Sequence, residues 1–348
     1  MDYRRLGKTD IEVSSICLGS MMWGSQCDEV EGHRQMDYAL ERGVNFIDCA
    51  ELYAVPPKPE TRGASEAIIG SWLHNRQDRD KIIIASKIVG RFDHADWMRP
   101  GGKPPRHTKE QIDFAVERSL KALQTDYIDL YQIHWPDRPR EVFGFHSYRD
   151  LGIDDMIPFE ETYEALSRHV EAGRIRALGL SNESPWGAMK FLQLSEKHGW
   201  PRMASIQNVY NLLSRRFDYG LAEIAVREDL GLLAYSPLAQ GYLTGKYAGG
   251  NLPEKSRKKM FGRLERYEAD HAADAIDACL TLANDLGLTP VQLALKFVET
   301  REFLTSNIIG ASSMAQLKEN IDAHEIKWTP EMEKAVHKLH VKLRSPCP

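Results

Sequence analysis

Short apolar runs alternate along this chain with longer stretches of helical period, and the two kinds of segment succeed one another from residue 15 onward. Residues 15–18 read as a strand. Residues 28–42 follow as a helix, with Asp28 as N-cap, Glu31 completing a capping box and Gly43 as the stop. The unit then recurs: NFID is followed by a helix over 65–74, IIIAS by one over 108–123 with Thr108 and Gln111 as its cap signature, and YIDLYQI by one over 159–171. RALGL precedes a helix over 186–198, SIQNV one over 219–228, LLAYS a long loop with helices reaching residue 299, and NIIGA a last helix from Met314. Ahead of this series, residues 2–13 hold two short extended pieces around the turn-forming residues 7–10.

Eight alternating units without a Gly/Ser linker or a break in composition predict one domain over residues 1–348, built on a closed parallel (β/α)8 TIM barrel. A doubly wound open sheet would show the same alternation. The polar residues that end the apolar runs separate the two, because Asp48, Lys87, His134, Asn182, Gln207, Tyr235 and Ser312 each fall at or just past the end of a different strand. A barrel gathers such residues into one site, and an open sheet spreads them along a line. A nucleotide-binding open sheet also calls for GxGxxG after its first strand, and that turn here reads LGSMMWG. Gly7-Lys8-Thr9 imitates the end of a phosphate-binding loop, but the glycine needed five places earlier is Asp2. Three segments interrupt the rhythm, at 88–107, 135–158 and 237–266, and segments of that length in a compact domain are commonly functional. The second carries Trp135, Phe143, Phe145 and Tyr148, an aromatic content that suits a pocket wall. The Pro56-Pro57-Lys58-Pro59 run reads as a stiff spacer.

Composition narrows the function classes. Apolar residues at 42% and charged residues at 27% are globular averages, and a formal net charge of −5 offers no general attraction to nucleic acid. The five cysteines, Cys17, Cys27, Cys49, Cys279 and Cys347, form no CxxC pair, so neither a disulfide framework nor a zinc site is indicated. The N-terminus lacks the apolar core of a signal peptide, and no stretch approaches the roughly 18 apolar residues of a membrane span, which predicts a cytoplasmic protein. No HxH or HExxH occurs, which argues against a metal-hydrolase barrel.

The candidate chemistry centres on NFIDCAELY, residues 45–53, which leaves an acid, Asp48, and a phenol, Tyr53, at the end of a buried run. A phenol with a free pKa of about 10 is a poor proton donor unless a cation stabilises the phenolate, and a buried cation needs an acid to hold it. Lys87 ends KIIIASK and His134 ends IDLYQIHW, at the exits of the next two apolar runs. Taken singly, Asp48 reads more readily as a helix cap, Lys87 as a solvated strand end and His134 as a core histidine. Together, in this order and context, Asp48, Tyr53, Lys87 and His134 resemble the catalytic tetrad of the aldo-keto reductases.

The resemblance runs from Asp2 to about Trp328. Within the family it is nearest the bacterial Tas-like subgroup, on AELYAVPPKPET. It implies that the first extended pieces form a hairpin plugging the barrel bottom. It implies an NADP(H)-dependent reduction of aldehydes or ketones, with Tyr53 as proton donor, Lys87 paired with Asp48 and lowering the phenol's pKa, and His134 orienting the carbonyl. GLSN resembles the motif that grips the nicotinamide carboxamide, giving Ser181 and Asn182, with Gln207 as their partner and Tyr235 stacked on the ring; Gly19, Ser20, Met21 and Asp48 complete that end. AYSPLAQGYLTGKY resembles the segment that supplies Ser236, Leu238 and Gln240 near the pyrophosphate and Lys246 for phosphate charge, and Arg257 of KSR resembles the adenosine-phosphate contact. IIGASSMAQLKEN implies Gly310, Ser312, Gln316, Glu319 and Asn320 around the adenosine, and Ser313 with Gln316 also reads as a helix cap. Many family members place a Lys or Arg in this last motif, where this chain has Ala311, Ser312 and Ser313, so an NADP preference over NAD rests on Lys246, Arg257 and Ser312. Trp23, Trp97, Trp135 and Phe143 are expected on loops around the substrate, favouring bulky or aromatic carbonyls. The alternative within the family is a cofactor-binding auxiliary protein with little turnover, like the potassium channel β subunits. No nucleic acid or membrane partner is expected.

Overall fold

The computed structural model describes residues 1–74, 76–138, 155–254, 256–262 and 264–347. Among the described residues there are ten strands: β1 (Tyr3–Arg5), β2 (Glu12–Ser14), β3 (Ile16–Gly19), β4 (Phe46–Asp48), β5 (Ile83–Ile88), β6 (Ile128–Ile133), β7 (Ile175–Ser181), β8 (Met203–Val209), β9 (Gly231–Tyr235) and β10 (Leu304–Ile309). β3 to β10 close into a parallel eight-stranded barrel, with β9 and β3 flanking β10. β1 and β2 pair antiparallel, Tyr3 opposite Ser14.

The helices follow the predicted rhythm, with α1 (Glu29–Glu41), α2 (Ala64–Leu73), α3 (Lys109–Leu123), α4 (Phe159–Glu171), α5 (Pro185–His198) and α6 (Leu221–Glu228) each between successive barrel strands. α7 (Arg257–Phe261), α8 (Ala272–Asp285) and α9 (Pro290–Glu299) separate β9 from β10, and α10 (Met314–Asp322) follows it. Asp28 caps α1 by accepting the Glu31 N–H at 2.9 Å, but the Glu31 carboxylate turns to Arg34 and Gln35, so the expected box is only half formed. A further helix, α11 (Pro330–Leu343), lies beyond the expected last one; Thr329 as N-cap and Pro330 at its first position were its signal.

Side chains two apart on a strand share a face, and this sorts the barrel interior into tiers. The lower tier is apolar: Cys17, Phe46, Ala85, Leu130, Ala177, Leu233 and Ile308 pack with Leu6, Ile11 and Val13 of the hairpin, which therefore fills the bottom. One or two steps further along the strands, the same face carries Asp48, Lys87, Gln132, Ser181, Gln207 and Tyr235. The outward residues, among them Ile47, Ile84, Tyr131, Leu178 and Ile206, pack against the helices in the main core. Among the described residues no helix is long and apolar enough to cross a membrane.

Candidate active site

The upper tier is where the barrel stops being apolar, and its charges meet there. Lys87 is fully buried, and its ammonium donates to Asp48 Oδ1 at 2.5 Å, to the Cys49 carbonyl at 2.7 Å and to the Tyr53 hydroxyl at 3.4 Å. The His134 ring meets the Tyr53 ring edge-on with centroids 5.6 Å apart. The structure thus brings Asp48, Tyr53, Lys87 and His134 into one cluster at the C-terminal ends of β4, β5 and β6.

The other oxygen of Asp48 is held by two amides that alternation alone did not link to it: Gln207 Nε2 donates at 2.8 Å and Gln132 Nε2 at 3.2 Å. Gln207 also donates to Gln132 Oε1 at 3.2 Å. Gly179 makes this possible, since a Cβ there would stand 3.1 Å from Gln132 Cγ and 2.8 Å from Ser205 Oγ. Gln132 went unnoticed in the sequence because it lies inside an apolar run; its position two residues before His134, on the same strand face, was the available signal.

Burial alone would lower the Lys87 ammonium, but Asp48 and Tyr53 outweigh it and hold it above its usual range. Burial pushes the Tyr53 phenol up, and Lys87 opposes this without prevailing, so the expected net lowering of the phenol is not what the site produces. Tyr53 stays protonated, the form a proton donor needs. Burial, then the charge of Lys87, drives His134 well below its ordinary value; it is neutral, and among the described residues its buried Nδ1 has no hydrogen-bond partner.

Two residues before Tyr53, Glu51 is fully buried. Its carboxylate takes two hydrogen bonds from Arg99, at 2.7 and 2.8 Å, and one from the Val89 N–H at 2.9 Å. It therefore clamps the Tyr53 loop to the strand exit that carries Lys87 and to residue 99. Burial works against this carboxylate, and Arg99 overcomes it, leaving its pKa below the usual range.

The expected cofactor residues ring the same mouth. Asn182, at φ +52°, donates through Nδ2 to the His134 carbonyl at 2.9 Å, its N–H donates to the Gln207 carbonyl at 2.9 Å, and the Tyr235 hydroxyl donates to its Oδ1 at 2.8 Å. Ser181 Oγ accepts from Asn182 Nδ2 at 3.1 Å. Gln207 thus partners Asn182 through its backbone, its own side-chain amide being committed to Asp48. Gly19 and Met21 are partly exposed, whereas Ser20 is fully buried with its hydroxyl on the Asp48 carbonyl and Ser65, each at 2.8 Å, so a ligand contact there falls to its neighbours. Ser236 and Gln240 both have left-handed backbones, at φ +54° and +56°, and Leu238 lies between them, partly buried. Lys246 and Arg257 are half-buried, and among the described residues neither has a carboxylate partner. Burial lowers both, and the charge of Arg257 lowers Lys246 further. Past β10, Gly310 and Glu319 are exposed, Asn320 is buried with Nδ2 donating to the Gly310 carbonyl at 3.3 Å, and Gln316 Oε1 accepts from the N–H and hydroxyl of Ser312 at 3.0 and 3.1 Å. Ser313 Oγ accepts the Gln316 N–H at 3.4 Å, as a helix cap does.

Around the tetrad cluster, Leu52, Val89, Ala95, Met98 and Trp135 form a small apolar group with Phe92 and Trp97 against it. Trp23 is not part of this wall: it is 1% exposed, hydrogen-bonded to Gln35 at 3.1 Å, and belongs to the main core. It faces inward because the loop after β3 folds back onto α1, where Gly32 lies against the indole. Phe143, Phe145 and Tyr148 lie outside the described residues. Asp2, Glu299 and His324 have the spacing of a metal site, but Lys296 already stands 3.2 Å from Glu299, which makes this an ion-pair knot at the barrel bottom, far from Asp48.

The profile of the Aldo/keto reductase family matches residues 15–340, and the chain belongs to that family. It is 41% identical over 349 residues to the protein tas of Escherichia coli strain K12, with the whole of both chains covered. It is also 37% identical over 281 residues to an aldo-keto reductase of Babesia bovis (76% of this chain, 98% of that one). A third relative, the L-glyceraldehyde 3-phosphate reductase of Escherichia coli strain K12, is 29% identical over 334 residues (93% of this chain, 87% of that one).

Proposed function

We propose that this chain is an NADP(H)-dependent oxidoreductase that reduces aldehydes or ketones to alcohols, on one barrel domain spanning residues 1–348 and in the cytoplasm. The observation that carries the reading is the Lys87 ammonium placed between Asp48 and the Tyr53 hydroxyl. A bound nicotinamide supplies the hydride. Tyr53 donates its phenolic proton to the carbonyl oxygen, and Lys87 stabilises the phenolate left behind, with Asp48 keeping that ammonium charged and in place. Neutral His134 donates a hydrogen bond to the same oxygen and orients the carbonyl. Lys246 and Arg257, two half-buried cations without a carboxylate among the described residues, fit the phosphates of a dinucleotide. The apolar group of Leu52, Val89, Met98 and Trp135 favours carbonyl compounds with an apolar or aromatic substituent. The five cysteines are free and buried, in keeping with a reducing compartment. NADPH oxidation against a panel of aldehydes and ketones tests the reading. Tight NADPH binding with no turnover of any of them would favour the auxiliary alternative.

A further inference from the structure

Gln132 is fully buried on β6, in the upper tier of the barrel interior. Alternate strands of such a barrel fill one layer of its interior, so Asp48 of β4, Gln132 of β6 and Gln207 of β8 meet there, while Lys87 reaches in from β5, where it pairs with Gln132 in the register. A carboxylate only accepts hydrogen bonds, so both amides must turn their nitrogens to Asp48 Oδ2, as they do at 3.2 and 2.8 Å. Gln132 Oε1 is then left to accept from Gln207 Nε2 at 3.2 Å. An apolar side chain would fill the same place without the cost of burying an amide, so the amide calls for a role of its own.

The two oxygens of Asp48 have different duties. Oδ1 faces the Lys87 ammonium at 2.5 Å, and among the described residues Oδ2 takes only the two neutral donors. Lys87 shares its protons between Asp48, the Cys49 carbonyl and, at the longest distance of 3.4 Å, the Tyr53 hydroxyl. Each donor on Oδ2 draws charge away from Oδ1 and weakens its hold on the ammonium, and what Asp48 gives up is available to the phenol. The titratable and charged groups facing that phenol are Lys87 from β5, Asp48 and Cys49 from the end of β4, His134 past β6 and Arg257 of α7. Among these, Gln132 hydrogen-bonds to Asp48.

We infer that Gln132 is a positioning residue that acts through Asp48 to divide the Lys87 ammonium between that acid and the Tyr53 hydroxyl, and so sets how readily Tyr53 exchanges its proton. This rests on the functional reading above. Without the Gln132 amide, Asp48 holds Lys87 harder and turns more negative charge towards the phenol. Burial and Asp48 already work against Lys87 there, so the phenol then keeps its proton to a higher pH.

Gln132→Met keeps the length of the side chain and removes the amide. The readout is oxidation, by NADP+, of the alcohol formed from a carbonyl that the parent reduces; in that direction the hydroxyl proton passes to the Tyr53 phenolate and the hydride to NADP+. The parent rate should rise with pH as the phenol ionises, and in Gln132→Met the midpoint should lie higher by about half a pH unit, so that the rate below it falls about 3-fold, a part of what one neutral hydrogen bond is worth. NADPH affinity, followed by fluorescence, should stay at the parent value, because Gln207 keeps its bond to Asp48. Gly179→Ala leaves the Gln132 amide intact but sets a Cβ 3.1 Å from its Cγ, so it should move the midpoint the same way by less, and it serves if the first variant does not fold. An unshifted midpoint in both variants would overturn the inference, as would a loss of NADPH affinity matching the loss of rate, the mark of a residue that only supports the cofactor. A parent that turned over no carbonyl or alcohol would break the functional reading instead. Thermal unfolding then tests the link to Asp48 without a cofactor: the losses in Gln132→Met and Asp48→Asn should be strongly non-additive, and additive losses would overturn it.

Discussion

Lys87 reaches the Tyr53 hydroxyl at 3.4 Å while its two closer contacts, at 2.5 and 2.7 Å, go to Asp48 Oδ1 and the Cys49 carbonyl. The ammonium is thus held by the acid and its neighbour and offered to the phenol. Asp48 is fixed in turn by the two amides of Gln132 and Gln207 on its other oxygen.

This arrangement predicts that Lys87→Met costs both activity and stability. Removing one member of a buried pair leaves the other uncompensated, with a penalty of about 3–5 kcal/mol. Pairing Lys87→Met with Asp48→Asn should recover much of the loss in thermal unfolding and none of the carbonyl reduction. Recovery of reduction in the double variant would show that the pair acts only structurally.

Glu51 separates loop positioning from chemistry. Glu51→Gln keeps the shape of the clamp but leaves Arg99 without its carboxylate, so the Tyr53 loop should loosen. The expected result is a reduction rate lower by about 10-fold with NADPH affinity preserved, since a misplacement of about 1 Å is enough for such losses. Steady-state kinetics beside fluorescence titration of NADPH reads both, and parent kinetics in the variant would contradict the clamp's role.

His107 gives a pH dependence with a definite sign. Burial, with Arg99 adding to it against Asp137, pushes this imidazole down to about 4, while in the unfolded chain it titrates near its free value of about 6.5. The unfolded state therefore binds the extra proton between those values. The stability that neutral His107 provides is complete above about pH 6.5 and is lost as the pH falls towards 4, by about 3 kcal/mol in all. His134, also held down by burial, acts in the same direction. Urea unfolding at a series of pH values should show this loss in the parent and a shallower one in His107→Gln; equal slopes would contradict it.

Arg257→Ala should weaken NADPH far more than NADH, because only NADPH presents a 2′-phosphate to a guanidinium that has no carboxylate partner among the described residues. Equal losses for the two, measured by fluorescence titration, would remove Arg257 from the basis for an NADP preference and leave it on Lys246, given that Ser312 is engaged with Gln316.

Much of this molecule was legible in its sequence because strand period and helix caps are local. The eight units follow from the alternation, the closed barrel from the polar endings of the apolar runs, and the grouping of Asp48, Tyr53, Lys87 and His134 from those endings together with the resemblance to the family's tetrad. What escaped depends on contacts between distant residues. Gln132 reads as an interruption of IDLYQIHW until the register places Gly179 beside it. Glu51 and Arg99 are 48 residues apart, and nothing in their spacing announces a buried pair. Trp23 looked like a loop aromatic because its burial depends on the packing of α1. The direction of the Tyr53 shift turned on how deeply the phenol is buried, which no motif encodes.

Tyr53→Phe measures the central claim most directly, since it keeps the ring in its contact with His134 and removes only the hydroxyl. With NADPH affinity followed by fluorescence and carbonyl reduction by the loss of NADPH absorbance, the variant should fold and bind NADPH like the parent while reduction falls by roughly 10² or more, the contribution of a positioned general acid. Lys87→Met added to Tyr53→Phe should deepen the loss little, because groups acting as one unit are not additive. Reduction at the parent rate in Tyr53→Phe would contradict the assignment of Tyr53 as proton donor and, with it, the proposed mechanism.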